Sequence, residues 1–134
     1  MPPSSIADLL DAARTRIDRV ASSELAAEMA RGALVIDTRC GEDRLAHGVI
    51  PGSVPVPLSV LFWRLDPTSG FDDTRLSDRT RRVILVCTDG YSSSLAAATL
   101  RDVGFDKAAD LDGGFSAYVA AGCPIERINE VAVA

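Results

Sequence analysis

The chain has 134 residues, of which 47% are hydrophobic and 25% are charged. This balance is typical of one compact globular domain and excludes intrinsically disordered, collagen-like and low-complexity proteins. Asp and Glu residues (19) outnumber Lys and Arg residues (14), and the net charge of -5 argues against binding to nucleic acid or to an anionic membrane surface, since both require clustered cations.

The lack of a recognisable targeting signal and the pattern of cysteines both predict a reduced, cytoplasmic compartment. No apolar stretch approaches the ~18 residues of a membrane-spanning helix. Residues 1–5 contain no cation before the first apolar segment, so a secretory signal is not expected. The three cysteines, Cys40, Cys87 and Cys123, are odd in number and widely spaced. We therefore expect free thiols in the cytoplasm, with neither a disulfide framework nor a metal site.

The N-terminal part of the chain is predicted to be helical. Apolar side chains recur there at helical spacing and predict a helix from residue 6 to residue 20. The apolar positions on its predicted face are Ile6, Leu9, Leu10, Ala13, Ile17 and Val20. A second helix is predicted over residues 22–30 and ends at Gly32. We expect residues 1–30 to form a helical extension that packs on the main domain.

Beyond residue 30, short apolar runs that predict strands alternate with segments that favour helices. The predicted strands span residues 33–37, 54–57, 82–87 and 105–111. The predicted helices span residues 58–65, 95–103 and 115–121, with a loop and a helical turn over 41–48. This alternation predicts an α/β fold, with an open parallel sheet of about five strands, helices on both faces and the extra N-terminal helix.

In open parallel sheets, ligands bind beyond the carboxyl ends of the strands. Three groups of residues follow predicted strands: Arg39 with Cys40, residues 87–92, and residues 112–114. Because the strands are parallel, we expect these groups to share one edge of the molecule. The sequence therefore predicts the functional site at this edge.

Cys87 ends the clearest predicted strand and precedes a loop that enters a helix. The backbone N–H groups of such a loop and the positive end of the helix dipole stabilise an anion, which lowers a thiol pKa from its usual value of about 8.5. Gly90 allows the backbone to curl around the sulfur. Two interpretations stay open: a nucleophile in an anion-binding loop, or a cysteine that only packs at the end of a strand.

Four parts of the sequence, in order, resemble the motifs of the rhodanese-like domain. These parts are Leu34–Arg39, residues 48–53, Cys87–Ser93, and residues 111–118 with 122–124. They resemble, in turn, the family's apolar run with Asp-x-Arg, its Gly-His-Ile-Pro-Gly-Ala segment, its Cys-x-x-Gly-x-Arg-Ser active-site loop, and its Gly-Gly-x-x-x-Trp and Gly-x-Pro ending. The resemblance implies a rhodanese-like domain over residues 31–127, followed by a C-terminal tail over 128–134.

The resemblance implies a sulfurtransferase or persulfide carrier without a metal or organic cofactor. Cys87 would take a sulfane sulfur from a small donor such as thiosulfate and pass it to cyanide, a cellular thiol or a protein acceptor. The anion-binding loop would consist of Thr88, Asp89, Gly90, Tyr91, Ser92 and Ser93. We expect a monomer or a homodimer.

Two departures from the family motifs bear on activity. Ser92 replaces the arginine of the loop, which removes a cation suited to an oxyanion donor, and Asp89 adds a negative charge beside the thiol. Val49 replaces the histidine of the second motif. The alternative function is therefore a catalytically weak binding or regulatory module. A phosphatase or arsenate reductase is disfavoured, because Ser93 stands where its loop would carry arginine.

Arg39 and Cys40 are candidate accessory residues. Arg39 could replace the missing cation, although an ion pair with Asp37, Glu42 or Asp43 is the favoured interpretation. Cys40 could act as a second thiol for persulfide relay or disulfide formation. The favoured interpretation of Cys40 is a loop or packed cysteine.

Overall fold

A computed structural model describes residues 2 and 4–130 of the chain. Of the predicted C-terminal tail, residues 131–134 lie outside this described part. In chain order the elements are α1 (Ile6–Arg14), β1 (Asp18–Val20), α2 (Ser22–Ala30), β2 (Leu34–Asp37), α3 (Gly41–His47), β3 (Val54–Pro55), α4 (Leu61–Leu65), β4 (Val83–Val86), α5 (Ser92–Asp102), β5 (Ala109–Leu111) and α6 (Gly114–Ala120).

The five strands form one parallel sheet in the order β1-β5-β4-β2-β3. The central strand, β4, is the unbroken apolar run Val83–Val86, and each of its side chains is fully buried. An apolar run of this kind is suited to a strand that is covered on both faces. The predicted α/β fold with an open parallel sheet is therefore confirmed.

Successive side chains of the strands point into two separate cores, one on each face of the sheet. On β4, Leu85 belongs to the core covered by α1, α4 and α5, whereas Ile84 belongs to the core covered by α2 and α6. On the first face, α1 packs against the alanine-rich side of α5. The predicted placement of helices on both faces is confirmed.

The predicted helix over residues 6–20 is wrong in its second half. The helix α1 ends at Arg14, and residues 18–20 form β1, which pairs with β5. Ile17 is buried in one core and Val20 in the other, so their spacing does not reflect one helical face. Pairing also covers the edge of β5, whose backbone groups would otherwise lack partners. Residues 18–20 therefore belong to the sheet, while the predicted domain boundary at residue 30 stays a prediction.

Other elements differ from the predictions mainly at their ends. Residues 41–47 form the complete helix α3 instead of a single turn, and the predicted strand over 105–111 begins only at Ala109. A turn in which the Ala108 N–H donates to the Phe105 carbonyl delays that strand. No helix in the described part of the chain is long and apolar enough to cross a membrane.

Leu85 at the centre of β4 provides a test of this core. It is completely buried, so we expect Leu85→Ala to lower the free energy of unfolding by about 2–5 kcal/mol through lost burial and the cavity left behind. The matched control is Leu45→Ala, because Leu45 is 41% exposed and its truncation should cost about 0.5 kcal/mol or less. Urea denaturation measures both, and equal losses would contradict the central position of Leu85.

Candidate active site

Cys87 lies directly after β4, at the carboxyl end of the sheet, and its side chain is buried. The loop that follows curls around the sulfur, and the Gly90 N–H donates to Sγ at 3.1 Å. The thiol lies 3.3 Å from Ser93 Oγ and donates to it. Gly90 has a φ of +81°, which a residue with a side chain rarely adopts. The local sequence thus places a polar, hydrogen-bonding shell around a buried thiol.

The surroundings of Cys87 favour its thiolate. Burial alone raises the pKa of the thiol, but the hydroxyls of Ser93 and Ser92 and the N–H groups of Ser93 and Gly90 outweigh this effect. The pKa of Cys87 is therefore held below its ordinary value, as hydrogen bonds to the charged form require. A thiol with this bias is a better nucleophile near neutral pH.

The first residues of α6 hold the loop in place through backbone hydrogen bonds. The Phe115 N–H donates to the Cys87 carbonyl and the Ser116 N–H donates to the Thr88 carbonyl, each at 2.9 Å. The Ser116 hydroxyl also donates to the Asp89 carboxylate at 2.8 Å. This close approach depends on Gly114, where a Cβ would lie 2.6 Å from the carbonyl oxygens of Cys87 and Thr88. The two glycine-containing segments therefore fit together as one unit.

A buried carboxylate lies next to the thiol shell. Asp110, in the middle of β5, has no exposed surface and accepts hydrogen bonds from the hydroxyls of Ser93 and Ser94, each at 2.7 Å. Arg19 on β1 completes the network by donating from Nε to the other carboxylate oxygen at 3.0 Å. Cys87, Ser93, Asp110 and Arg19 thus form a continuous polar chain.

Two arginines bind the carbonyl of Gly90. The Nη2 groups of Arg14 and Arg19 donate to it at 2.8 and 3.0 Å. Arg14 also donates from Nε to Ser94 Oγ at 3.1 Å, and its guanidinium lies 5.6 Å from the centre of the Tyr91 ring. Arg19 additionally donates to Asp112 at 2.9 Å. The N-terminal segment (residues 4–20) therefore directly contacts the Cys87 loop (residues 87–93).

Sequence reasoning missed Arg14, Arg19 and Asp110. The available signal was Asp110, which lies between apolar residues near the end of the predicted strand over 105–111, since a charge in a buried strand needs a partner. Nothing local identifies that partner, because Arg19 is 91 residues away in the chain.

Cys87 opens into a cavity of about 290 Å³. Its other lining residues are Thr38, Arg39, Leu58, Thr88, Asp89, Tyr91 and Ser92. Thr88, Asp89 and Tyr91 are exposed at this cavity, Ser92 is half-buried, and Gly90 and Ser93 are buried beneath it. A neighbouring cavity of about 490 Å³ shares Arg39 and Thr88 with it. The space at the thiol suits a small donor or the tip of a larger acceptor.

Arg39 lies at the cavity wall but serves mainly as a structural residue. It is buried, donates to both carboxylate oxygens of Asp37 at 3.1 and 2.8 Å, and donates to the Gly48 carbonyl at 2.8 Å. Its guanidinium also lies 3.7 Å above the Phe115 ring. A second buried arginine, Arg44, lies 3.5 Å from the same carboxylate. Two guanidiniums against one carboxylate leave a single net positive charge in this buried group.

Cys40 and Cys123 are not grouped with Cys87. Cys40 is exposed at the start of α3, and Cys123 is half-buried with Sγ 4.0 Å from the Ser22 carbonyl. Neither lines the two cavities beside Cys87. The accessory role of Cys40 stays a prediction. Within residues 2 and 4–130, no three His, Cys, Asp or Glu side chains come together as a metal site.

The lowered pKa predicts that Cys87 is the most reactive thiol near neutral pH. Only the thiolate is alkylated, so the rate for Cys87 should reach half its maximum below pH ~8.5. Iodoacetamide labelling of the folded protein across pH 5–9, followed by peptide mass spectrometry, measures each cysteine separately. If Cys40 or Cys123 reacts faster than Cys87 near neutral pH, the nucleophile is assigned incorrectly.

Gly114 offers a test of the contact between α6 and the loop. We expect Gly114→Ala to displace the loop and to slow Cys87 alkylation by about 10-fold or more, because the new methyl group would meet backbone oxygens that cannot yield cheaply. Gly122→Ala is the matched control, since both glycines have positive φ but a Cβ at Gly122 meets nothing within 4 Å. Equal alkylation rates in the two folded variants would show that loop position is independent of α6.

Comparison with known proteins agrees with the geometry. A model of the Rhodanese-like domain matches residues 21–121. Thiosulfate sulfurtransferase GlpE from Pseudomonas entomophila (strain L48) is 33% identical over 100 residues, which cover 75% of this chain and 83% of that protein. Both findings confirm the family resemblance of the sequence motifs.

Solved structures show the same similarity. A protein of unknown function from Rhodopseudomonas palustris CGA009, described as a possible tyrosine phosphatase, superposes with a TM-score of 0.84 at 30% identity and covers 94% of this chain and 99% of its own. A thiosulfate sulfurtransferase from Pseudomonas aeruginosa superposes with a TM-score of 0.65 at 28% identity, covering 84% of this chain and 20% of its own. The sequence match, the parallel sheet and the cysteine loop together make this chain a member of the rhodanese-like domain family.

Proposed function

We propose that this protein is a sulfurtransferase or persulfide carrier that moves a sulfane sulfur through a persulfide on Cys87. The observation that supports this most directly is the buried Cys87 thiol, which accepts a hydrogen bond from the Gly90 N–H and whose pKa is lowered by the loop's serine hydroxyls and N–H groups. Two of the similar proteins are named as thiosulfate sulfurtransferases. The same donors that stabilise a thiolate would stabilise a persulfide anion.

The proposed reaction consists of two displacements at sulfur. In the first, the Cys87 thiolate attacks the sulfane sulfur of thiosulfate, a new S–S bond forms, and sulfite leaves with the electrons of the broken S–S bond. In the second, an acceptor thiolate attacks the terminal sulfur and leaves Cys87 as a thiolate again. Charge is conserved in each step, and neither step needs an external oxidant, a reductant or a cofactor.

The charges around the cavity suggest that thiosulfate is a poor donor. Ser92 offers only a hydroxyl where the family motif has an arginine, and Asp89 places a negative charge at the opening. The buried group around Arg39 provides one net positive charge at the wall, but its guanidinium is already bound to Asp37. We therefore expect a preference for a less charged or protein-bound sulfur donor.

The absence of arginine from the loop supports one alternative, a binding or regulatory module with weak chemistry. A phosphatase role is less well supported. The sixth residue after Cys87 is Ser93, which is buried and donates to Asp110, so the loop lacks the guanidinium that would hold a phosphate group. Uptake of sulfur by Cys87 separates the proposed function from both alternatives.

Sulfur uptake can be measured directly. We expect the protein, after incubation with a sulfane sulfur donor, to gain about 32 Da on Cys87, the mass of one sulfur atom in a persulfide. Cys87→Ser should gain nothing, whereas Cys40→Ser should gain the same mass as the natural protein. Intact mass spectrometry with peptide mapping makes the measurement. No gain with thiosulfate or with an organic persulfide donor would favour the binding module.

Position 92 tests the electrostatic argument. We expect Ser92→Arg to raise kcat/KM for thiosulfate by at least ~10-fold, because a cation at the loop end would bind the dianion and stabilise the departing sulfite. Asp89→Asn should give a smaller gain, and the double variant controls for capture of the new arginine by Asp89. If both arginine variants fold, form no persulfide and show no gain, the cavity is not a sulfur-transfer site.

A further inference from the structure

We infer that Arg14 and Arg19, which precede the residues matched by the family model, are positioning residues that hold the Cys87 loop and supply the positive charge that the loop itself lacks. The inference deepens the proposed function, because it concerns the same thiolate. It also assigns a role to the N-terminal segment, which delivers one arginine from α1 and the other from β1.

Gly90 is the residue through which both arginines act. Its N–H donates to Cys87 Sγ at 3.1 Å, while its carbonyl accepts from Arg14 at 2.8 Å and from Arg19 at 3.0 Å. The N–H and the carbonyl belong to one residue, so fixing the direction of one restricts the other. Gly90 needs this restraint because glycine has more backbone freedom than any other residue type, and it adopts a positive φ here. The arginines thus hold the N–H in position to bind the sulfur.

The two arginines differ in how their charges are balanced. Arg19 is paired with Asp110 and with Asp112. Arg14 donates to the Gly90 carbonyl and to Ser94 Oγ, and no carboxylate in the described part of the chain lies within 4.0 Å of its guanidinium. Arg14 therefore places a positive charge without a carboxylate partner at the Gly90 carbonyl of the Cys87 loop. Arg14 does not line the cavity, so its charge acts on the thiol and does not replace the missing loop arginine in binding a donor.

The charge of Arg19 is also linked to the thiol. Burial lowers the pKa of Arg19, but Asp110, Asp112 and the charge on Cys87 raise it by more. The attraction is mutual, so the same guanidinium favours the thiolate. When the thiol ionises, the Ser93 hydroxyl can turn from Asp110 toward the sulfur, because Ser94 and Arg19 still satisfy Asp110.

Arg14 gives the cleanest experiment, because its removal leaves no buried carboxylate unpaired. We expect Arg14→Met to raise the pH at which Cys87 alkylation is half-maximal by about 0.5–1 unit, as loss of a nearby positive charge requires. Arg14→Lys keeps the charge but cannot donate to Gly90 and Ser94 with the same geometry, so the alkylation midpoint should rise by less. A purely structural role would lower stability without moving this pH profile.

Arg16 is the matched control for Arg14. It lies on the same segment, is exposed, and pairs with Asp102 away from the loop. Arg16→Met should leave the alkylation midpoint within about 0.2 unit of the natural protein, because an exposed ion pair contributes little.

Arg19 needs a paired substitution. Its removal alone would leave Asp110 as a buried charge without a cation, which is strongly destabilising. We therefore compare the double variant Arg19→Gln with Asp110→Asn against Asp110→Asn alone, in which Arg19 keeps Asp112 as a partner. The double variant should have the higher alkylation midpoint of the two, because they differ only in the cation at position 19. If the double variant keeps the midpoint of Asp110→Asn and Arg14→Met keeps that of Arg16→Met, the inference is overturned.

Sulfur uptake from thiosulfate, measured on the same samples, separates this inference from the proposed function. Uptake by the natural protein with unchanged midpoints in the arginine variants would overturn the positioning role alone. Shifted midpoints in a protein that takes up no sulfur from any donor would support the positioning role and overturn sulfur transfer. The expected result is slower uptake by Arg14→Met, by about 2–3-fold, because the higher pKa lowers the thiolate fraction more than it raises the nucleophilicity of the thiolate.

Discussion

The conformation of the Cys87 loop depends on the compensation of one buried charge, the carboxylate of Asp110. This group has no exposed surface, and a buried charge is costly unless it is paired and hydrogen-bonded. Its partners are Arg19, Ser93 and Ser94. Each partner also contacts the Cys87 loop or Cys87 itself. Satisfying the buried carboxylate therefore also fixes the geometry around Cys87.

Strand register determines whether this compensation is possible. On the parallel pair β1 and β5, Arg19 lies directly opposite Asp110. A slip of one residue would turn the arginine to the other face of the sheet and leave the carboxylate without a cation. The short edge strand β1 thus contributes to the site as well as to the sheet. Residues that precede the family-matched segment therefore help to build the candidate site.

The thiol itself reflects a balance between burial and hydrogen bonding. Burial disfavours a charged sulfur, while the Gly90 N–H and the neighbouring serine hydroxyls favour it by a larger amount. These serines lie in the first turn of α5, and one of them, Ser93, also donates to Asp110, so the thiol and the buried carboxylate share a hydrogen-bonding group. A persulfide on Cys87 would extend into the cavity, where the charges of Arg39 and Asp89 oppose each other. Membership of the rhodanese-like family fits this chemistry, and in the proposed sulfur transfer the local charges would bear on the choice of donor.

Features that are local in the chain could be predicted from the amino-acid sequence alone. Apolar runs predicted β2 and β4, and glycines marked the ends of helices. The segment from Cys87 to Ser93 identified the candidate nucleophile and, together with three other motifs in order, the family. Alternation of strands and helices was enough to predict the parallel sheet, because each element carries its own periodicity. The strand at residues 18–20 and the cations behind the Cys87 loop depend on tertiary structure. Residues 18–20 became a strand only because the edge of β5 was free to pair, and helical spacing could not reveal that. Arg14 and Arg19 contact Gly90 across 76 and 71 residues of chain, and such contacts have no local pattern. The pairing of Arg39 with Asp37 was foreseeable at a separation of two residues, whereas the cations behind the loop arise from how distant elements pack.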